Sequence, residues 1–133
     1  ATLGMSSTTF HSVHGRPPDV GQQPDTTTAR DIAKLSMEIV KYPKALHYTS
    51  TIRKMFRNGT FELLSHNRLL KDVEGCDGLK TGYHSKGGSS LTATAKQGDN
   101  RVIAVALGCP DKNVRNTTIR KLLDKGFQAL EKR

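Results

Sequence analysis

The chain has no tryptophan and only four phenylalanines and three tyrosines in 133 residues, so a hydrophobic core must be built mainly from aliphatic side chains. Its two cysteines, Cys76 and Cys109, are too few and too far apart for a zinc cage or a disulfide framework. No stretch approaches the roughly 18 consecutive apolar residues of a membrane-spanning helix. The segment Ala1-Thr2-Leu3-Gly4-Met5 has neither the charged beginning nor the long apolar centre of a secretory leader, and it reads as the interior of a longer chain. No run of four Lys or Arg occurs, and aromatics are not interleaved with the charges. Despite a formal net charge of +9, the pattern is that of a solvated basic surface and not of a stacking platform for nucleic acid. Such a surface also suits an anionic polymer, and charge alone does not choose between these partners.

The length allows one domain, and 35% hydrophobic with 25% charged residues places the chain in the soluble globular range. Residues 1–25 read as loop, broken by Gly15, Pro17, Pro18, Gly21 and Pro24. A helix follows, with Thr28 as N-cap and Asp31 three residues on. Its apolar face carries Ile32, Leu35 and Ile39, widened by Ala33, Met37 and Val40. Pro43 ends it near Lys41 or Tyr42 and opens a second short helix through Ala45, Leu46 and Tyr48.

Ile52 to Arg57 and Thr60 to Leu64 then flank Asn58-Gly59, the pair suited to a type I′ hairpin turn. Three strands are expected at Gly78 to Tyr83, Ser89 to Lys96 and Arg101 to Leu107. Their short links imply an antiparallel meander. The third is apolar from Val102 to Leu107, which predicts burial on both faces. A final helix from about Asn113 to Leu130 presents Ile119, Leu122, Leu123, Phe127 and Leu130 as one stripe. The order is helices, hairpin, meander, helix, with no internal repeat: an α+β domain. Cys76 precedes the first meander strand and Cys109 follows the third, so they fall at opposite ends of the sheet. That is roughly 20 Å of strand, against Cα atoms within about 7 Å for a disulfide, and both thiols are expected reduced.

The informative stretch is Glu74-Gly75-Cys76-Asp77-Gly78-Leu79-Lys80-Thr81-Gly82-Tyr83. Lys-Thr-Gly alone is a weak signal. Here Asp77-Gly78-Leu79 leads into it, a glycine-containing turn follows, and Ser90-Leu91-Thr92-Ala93-Thr94-Ala95-Lys96 and Arg101-Val102-Ile103-Ala104-Val105 come next. This arrangement resembles the D-alanyl-D-alanine carboxypeptidase branch of the penicillin-binding, serine β-lactamase-like superfamily. The likeness extends upstream through Leu3-Gly4-Met5, Thr8-Thr9-Phe10, His14-Gly15 and Thr27 to Asp31, and through Asn67 with Leu69-Leu70. Downstream it includes Lys121 to Asp124 and Gly126-Phe127. Residues 1–133 are thus expected to form the C-terminal portion of one catalytic domain, an antiparallel sheet packed by a C-terminal helix, with the N-terminal strands and nucleophile helix absent.

The resemblance implies removal of the terminal D-alanine from peptidoglycan stem peptides through a serine acyl-enzyme, and acylation by β-lactams. Lys80 would place its ammonium near the substrate carboxylate and the proton-transfer network. Thr81 would bond the same carboxylate, and Gly82 would let the substrate backbone approach the strand. The Tyr83 backbone N–H would serve as one oxyanion-hole donor, the other coming from the nucleophile's own N–H. By position Arg115 resembles an arginine that some members place near the substrate carboxylate. It reads equally as a solvated charge in the first turn of the final helix, where a cation mildly opposes the dipole. No cofactor or metal is implied. Further expectations are an extracytoplasmic location and no nucleic-acid partner. Membrane association is expected only through segments absent here, and the missing N-terminal part of the same protein is a possible partner.

The family's nucleophile sits in Ser-x-x-Lys, and no serine here has lysine three residues later. Thr51-Ile52-Arg53-Lys54 comes nearest, but in a strand residues three apart face opposite sides. Ser65-His66-Asn67 fits the second motif, Ser-x-Asn, yet follows the Leu-Gly-Met segment where the family's motif precedes it. His66 and Asn67 are therefore named only as residues bordering the cleft. His11 and His14 lie in a loop without a third metal ligand. Asn58-Gly59-Thr60 and Asn116-Thr117-Thr118 fit a glycosylation pattern that a bacterial envelope protein makes irrelevant. Arg16 stands where relatives commonly carry leucine, and His84 to Gly88 is a variable loop. The alternatives to the enzyme reading are a non-catalytic peptidoglycan-binding module and a basic nucleic-acid-binding domain.

Overall fold

A computed structural model describes residues 3–132, so Ala1 and Thr2, where the leader expectation begins, lie outside the described residues. From Leu3 to Thr28 the chain is loop, closed on itself by an antiparallel bridge between Thr9 and Thr26 with bonds of 2.9 and 3.0 Å. Helix α1 (Ala29–Ile39) starts as expected, Thr28 accepting from the Asp31 N–H at 3.2 Å. The Asp31 carboxylate is buried at 2% exposure and accepts from the Ser7 N–H, the Thr8 hydroxyl and Lys34. It thereby ties the opening loop to α1. Met37 is not on the buried face: it is exposed, and the polar Ser36 is buried in its place, with its hydroxyl donating to the Ile32 carbonyl at 2.7 Å. Helix α2 (Pro43–Thr49) has proline in its first turn, where no backbone donor is missed.

The hairpin forms from β1 (Arg53–Phe56) and β2 (Phe61–Leu64) in antiparallel register. Its turn is longer than a bare Asn-Gly pair. Arg57, Asn58 and Gly59 all have positive φ, at 49°, 54° and 85°, and the Thr60 N–H closes on the Arg57 carbonyl. Both strands are exposed along their length. A one-turn helix α3 (Leu69–Asp72), absent from the expected elements, follows.

Strands β3 (Cys76–His84), β4 (Gly88–Gln97) and β5 (Asn100–Cys109) make the expected antiparallel meander in the order β3-β4-β5. Helix α4 (Lys112–Glu131) packs across β4 and β5. Its N-cap is Asp111, which accepts from the Asn113 and Val114 N–H groups at 2.6 and 3.0 Å. The core lies between helix and sheet: Leu91, Ala93 and Ala95 from β4, Ala104 and Ala106 from β5, and Ile119, Leu123 and Phe127 from α4, with Leu69. Full burial of Leu91, Ile119 and Leu123 contributes about 1.5–3 kcal/mol each.

Two expectations fail here. Strand β5 is not buried on both faces, since Val102, Ile103 and Val105 are half-buried and Leu107 is exposed. Among the described residues it is an edge strand, covered by α4 on one side and touched by α1. On α4, Leu122 is exposed, and the buried line is Arg115, Ile119, Leu123 and Phe127, a strict four-residue repeat. Cys76 pairs with Ala95 and Cys109 with Ser89, at opposite ends of β4, and both thiols are free.

Candidate active site

Strand β3 is the second edge of the sheet, with no strand on its outer side among the described residues. Its register puts Leu79, Thr81 and Tyr83 opposite Ala93, Leu91 and Ser89, on the α4 side. Gly78, Lys80 and Gly82 face the other way, opposite Thr94, Thr92 and Ser90. That alternation begins at a β-bulge between Cys76 and Gly78, where Asp77 is the extra residue. The Gly78–Leu79 peptide bond is cis.

Beyond this edge opens a cavity of about 1250 Å³, into which the strand brings both faces of the Lys-Thr-Gly run. One wall is Lys80 to Tyr83. A second is the hairpin exit, from Leu64 to Asn67. A third joins the flank of α3 to Pro110, Asp111 and Lys112 at the start of α4, with Arg115 behind them. The seven residues named from sequence, Lys80, Thr81, Gly82, Tyr83, Arg115, His66 and Asn67, all line this one cavity.

Their environments differ. Lys80 is exposed and its ammonium donates to the Thr81 carbonyl. Gly82 is exposed, and a Cβ built there would meet no atom within 4 Å, so the fold itself does not require glycine at that point. The Tyr83 ring is 73% exposed. His66 is exposed at the rim. Asn67 is buried and its amide is engaged at both ends: Nδ2 donates to the Gly78 carbonyl at 3.1 Å, and Oδ1 accepts from the Leu69 N–H at 3.2 Å.

Arg115 is not the solvated charge that one reading allowed. It is 6% exposed, and its Nε and Nη2 donate to the Asn116 Oδ1 at 3.1 and 2.9 Å. It has no carboxylate partner among the described residues. Burial pushes its pKa down, with the nearby Cys109 acting the other way. A guanidinium stays charged regardless, so among the described residues the cavity wall holds a buried cation without an anion.

Other residues around the motif were missed. Arg101 on β5 reaches over β4 to grip Asp77, Nη1 to Oδ1 and Nη2 to Oδ2 both at 2.8 Å, and Nη1 also donates to the Thr94 hydroxyl at 2.7 Å. The Thr49 hydroxyl donates to the Asp77 carbonyl at 2.8 Å. At the α3 wall, Asp72 pairs with Arg120 of α4 at 2.6 Å. Apart from Arg101 and Thr94, seven residues apart, these partners lie 24 to 48 residues apart in sequence, beyond the reach of local spacing. The only hint in the sequence is the placement of Asp77 near the start of the first strand and Arg101 near the start of the third, which in an antiparallel meander lie at the same end of the sheet.

Among the described residues no three His, Cys, Asp or Glu side chains cluster as a metal site. No helix among them is long and apolar enough to cross a membrane.

Residues 1–111 match the family model described as D-alanyl-D-alanine carboxypeptidase. The chain is 35% identical over 132 residues to the D-alanyl-D-alanine carboxypeptidase DacF of Bacillus subtilis, a match covering 97% of this chain and 33% of that protein. It is 35% identical over 130 residues to DacC of Escherichia coli, covering 97% of this chain and 31% of that protein. Among solved structures, penicillin-binding protein D2 of Listeria monocytogenes in its cefotaxime-bound form is 37% identical, with a TM-score of 0.85. That superposition covers 95% of this chain and 51% of the other. The chain spans about a third of the length of the curated relatives it matches.

Proposed function

Because the chain belongs to the D-alanyl-D-alanine carboxypeptidase family, we propose that it forms the substrate-binding part of a serine-type enzyme that removes the terminal D-alanine from peptidoglycan stem peptides. The reading rests on one observation: an uncovered strand edge at Gly82 borders the same cavity as Lys80, Thr81 and the unpaired cation Arg115. A peptide ending in D-alanyl-D-alanine adds to that edge in extended form, its main chain bonding to β3. Its carboxylate meets the Thr81 hydroxyl, the Lys80 ammonium and the Arg115 guanidinium, which gains in the complex the anion it otherwise does without. The Tyr83 N–H donates to the oxyanion, an interaction of which one donor is worth a factor of roughly a hundred to a thousand in turnover.

The serine that forms the acyl-enzyme is supplied from outside these residues, since no Ser-x-x-Lys occurs in them. In this reading residues 1–133 are the C-terminal portion of one catalytic domain acting outside the cytoplasm. Penicillins acylate the complete enzyme because they present a carboxylate and a reactive carbonyl in the same relation. His66 borders the cavity, while Asn67 acts through the strand it holds.

The test is covalent labelling by a fluorescent penicillin, applied in parallel to this chain and to the product of its full reading frame. The longer protein is expected to label on a serine outside residues 1–133, and this chain not at all. Label on this chain would refute the assignment of the motif. A longer protein that resists labelling and releases no D-alanine would refute the enzyme.

A further inference from the structure

The Lys-Thr-Gly run owes its orientation to a single extra residue. At the bulge, Cys76 pairs with Ala95 and Gly78 with Thr94, which leaves Asp77 unmatched. If the bulge were lost and Asp77 itself paired with Thr94, the register beyond it would move by one residue, and in a strand that exchanges the two faces. Lys80 would then lie opposite Leu91, on the side of α4, and Thr81 opposite Ser90, on the face that Lys80 now occupies. The placement of both site residues thus depends on the bulge holding its position.

Two side chains from outside the sheet converge on it. Thr49, the last residue of α2, donates to the Asp77 carbonyl, and Asn67, just before α3, donates to the Gly78 carbonyl. Two consecutive carbonyls are thereby held by two separate elements. Gly78 makes this possible: a Cβ there would lie 2.8 Å from the Thr49 hydroxyl oxygen and 3.3 Å from the Thr94 methyl carbon. On the same face Arg101 holds the Asp77 carboxylate. Thr49 and Arg101 lie outside the cavity, and the amide of Asn67, which lines it, is already engaged at both ends.

We infer that Thr49 and Asn67 are positioning residues, which lock the bulge at Asp77 and so fix which face of β3 carries Lys80 and which carries Thr81. The inference rests on the proposed function for its catalytic consequence, but its structural part stands alone, and one experiment reads both. In the product of the full reading frame, Thr49→Val removes the hydroxyl and keeps the shape, Thr49→Ser restores the donor, and Asn67→Asp replaces the amide donor by an acceptor. Two quantities are followed: the penicillin acylation rate, and deuterium exchange over residues 79–83 with residues 119–127 of α4 as internal reference.

Thr49→Val and Asn67→Asp are expected to lower the acylation rate by about tenfold or more, the weight of roughly one lost hydrogen bond. Exchange over residues 79–83 should accelerate while that of α4 does not. Thr49→Ser should return both quantities to within about threefold of the parent. Unchanged exchange in β3, or failure of the serine variant to rescue, would overturn the inference. Should Thr49→Val not fold, Asn67→Asp decides by the same criteria. If the parent itself is not acylated, the proposed function falls, and exchange still decides whether the bulge is locked by these residues.

Discussion

Replacing Arg101 by leucine removes an ion pair that spans the three-stranded sheet. Its guanidinium makes two parallel bonds of 2.8 Å to the Asp77 carboxylate and a third of 2.7 Å to Thr94. Leucine keeps much of the apolar stem, so packing is largely preserved and the lost bonds dominate. The two side chains are 22% and 24% exposed. An exposed pair would contribute about 0–1 kcal/mol, and breaking a fully buried one costs about 3–5 kcal/mol. At this intermediate burial the abandoned carboxylate regains part of its hydration, and about 2–3 kcal/mol is expected. For a chain of this size that corresponds to a fall of roughly 10 °C in midpoint. Urea unfolding followed by far-UV circular dichroism measures the first quantity and a thermal scan the second. Arg101→Lys keeps the charge but loses the fork, so it should retain part of the stability. With Asp77→Asn as the second member of a double-mutant cycle, the coupling should reach about 1.5 kcal/mol. A coupling below about 0.5 kcal/mol would refute the claim that this pair stabilises the root of the motif strand.

Gly82→Ala should leave the unfolding free energy within about 0.5 kcal/mol of the parent, since its Cβ meets nothing. The same variant should lower penicillin acylation of the complete enzyme by on the order of tenfold, because the strand is no longer bare where the ligand backbone approaches; unchanged acylation would contradict the assignment of the edge. Burial works against the charge of Asp31, but the bonds from Thr8, Ser7 and Lys34 outweigh it and hold the pKa below its ordinary value of 3.8. The stability it contributes is therefore complete above about pH 5 and is lost as pH falls through the lowered folded value, so Asp31→Asn should flatten the acid limb of a plot of urea midpoint against pH. A limb as steep as the parent's would assign the acid loss elsewhere. Burial pushes the Cys76 thiol upward, ahead of an opposing backbone hydrogen bond with Gly78, and the charge of Asp77 acts in the same direction as burial. Iodoacetamide at neutral pH should modify it at least about tenfold more slowly in the folded protein than in urea, and equal rates would refute that account.

The elements whose signals are local were legible in the sequence. Thr28 and Asp31 mark the start of α1, Pro43 separates the helices, and Gly98-Asp99-Asn100 turns β4 into β5. What failed was burial. The apolar run from Val102 to Leu107 reads as a strand covered on both faces, but cover depends on what lies beside it, and β5 is an edge. Leu122 matches the helical stripe by hydrophobicity alone, whereas the sheet meets α4 along a four-residue repeat that includes a charged residue, Arg115. Helix α3 escaped notice because one turn holds no period; its only local mark is the Asn67 side chain accepting from the Leu69 N–H.

The candidate site divides along the same line. Apart from Arg115, the groups that would touch a ligand sit within four consecutive residues, Lys80 to Tyr83, because alternate positions of one strand reach both sides of an edge without help from the rest of the chain. Groups that decide where those four residues point come from α2, from the segment before α3 and from β5, and each holds a carbonyl or carboxylate of Asp77 or Gly78. A short motif can therefore be recognised in isolation, but its chemistry cannot be separated from its context. A one-residue slip at Asp77 would leave every letter of Lys-Thr-Gly in place and turn the ammonium to the wrong face. Arg115 makes the same point from the opposite wall. Nothing beside it in sequence marks it out, and only the packing of α4 on β4 and β5 leaves it buried at the cavity with a neutral amide as its partner. An uncompensated buried cation is costly to keep, and under the proposed function the carboxylate of an arriving peptide would relieve it.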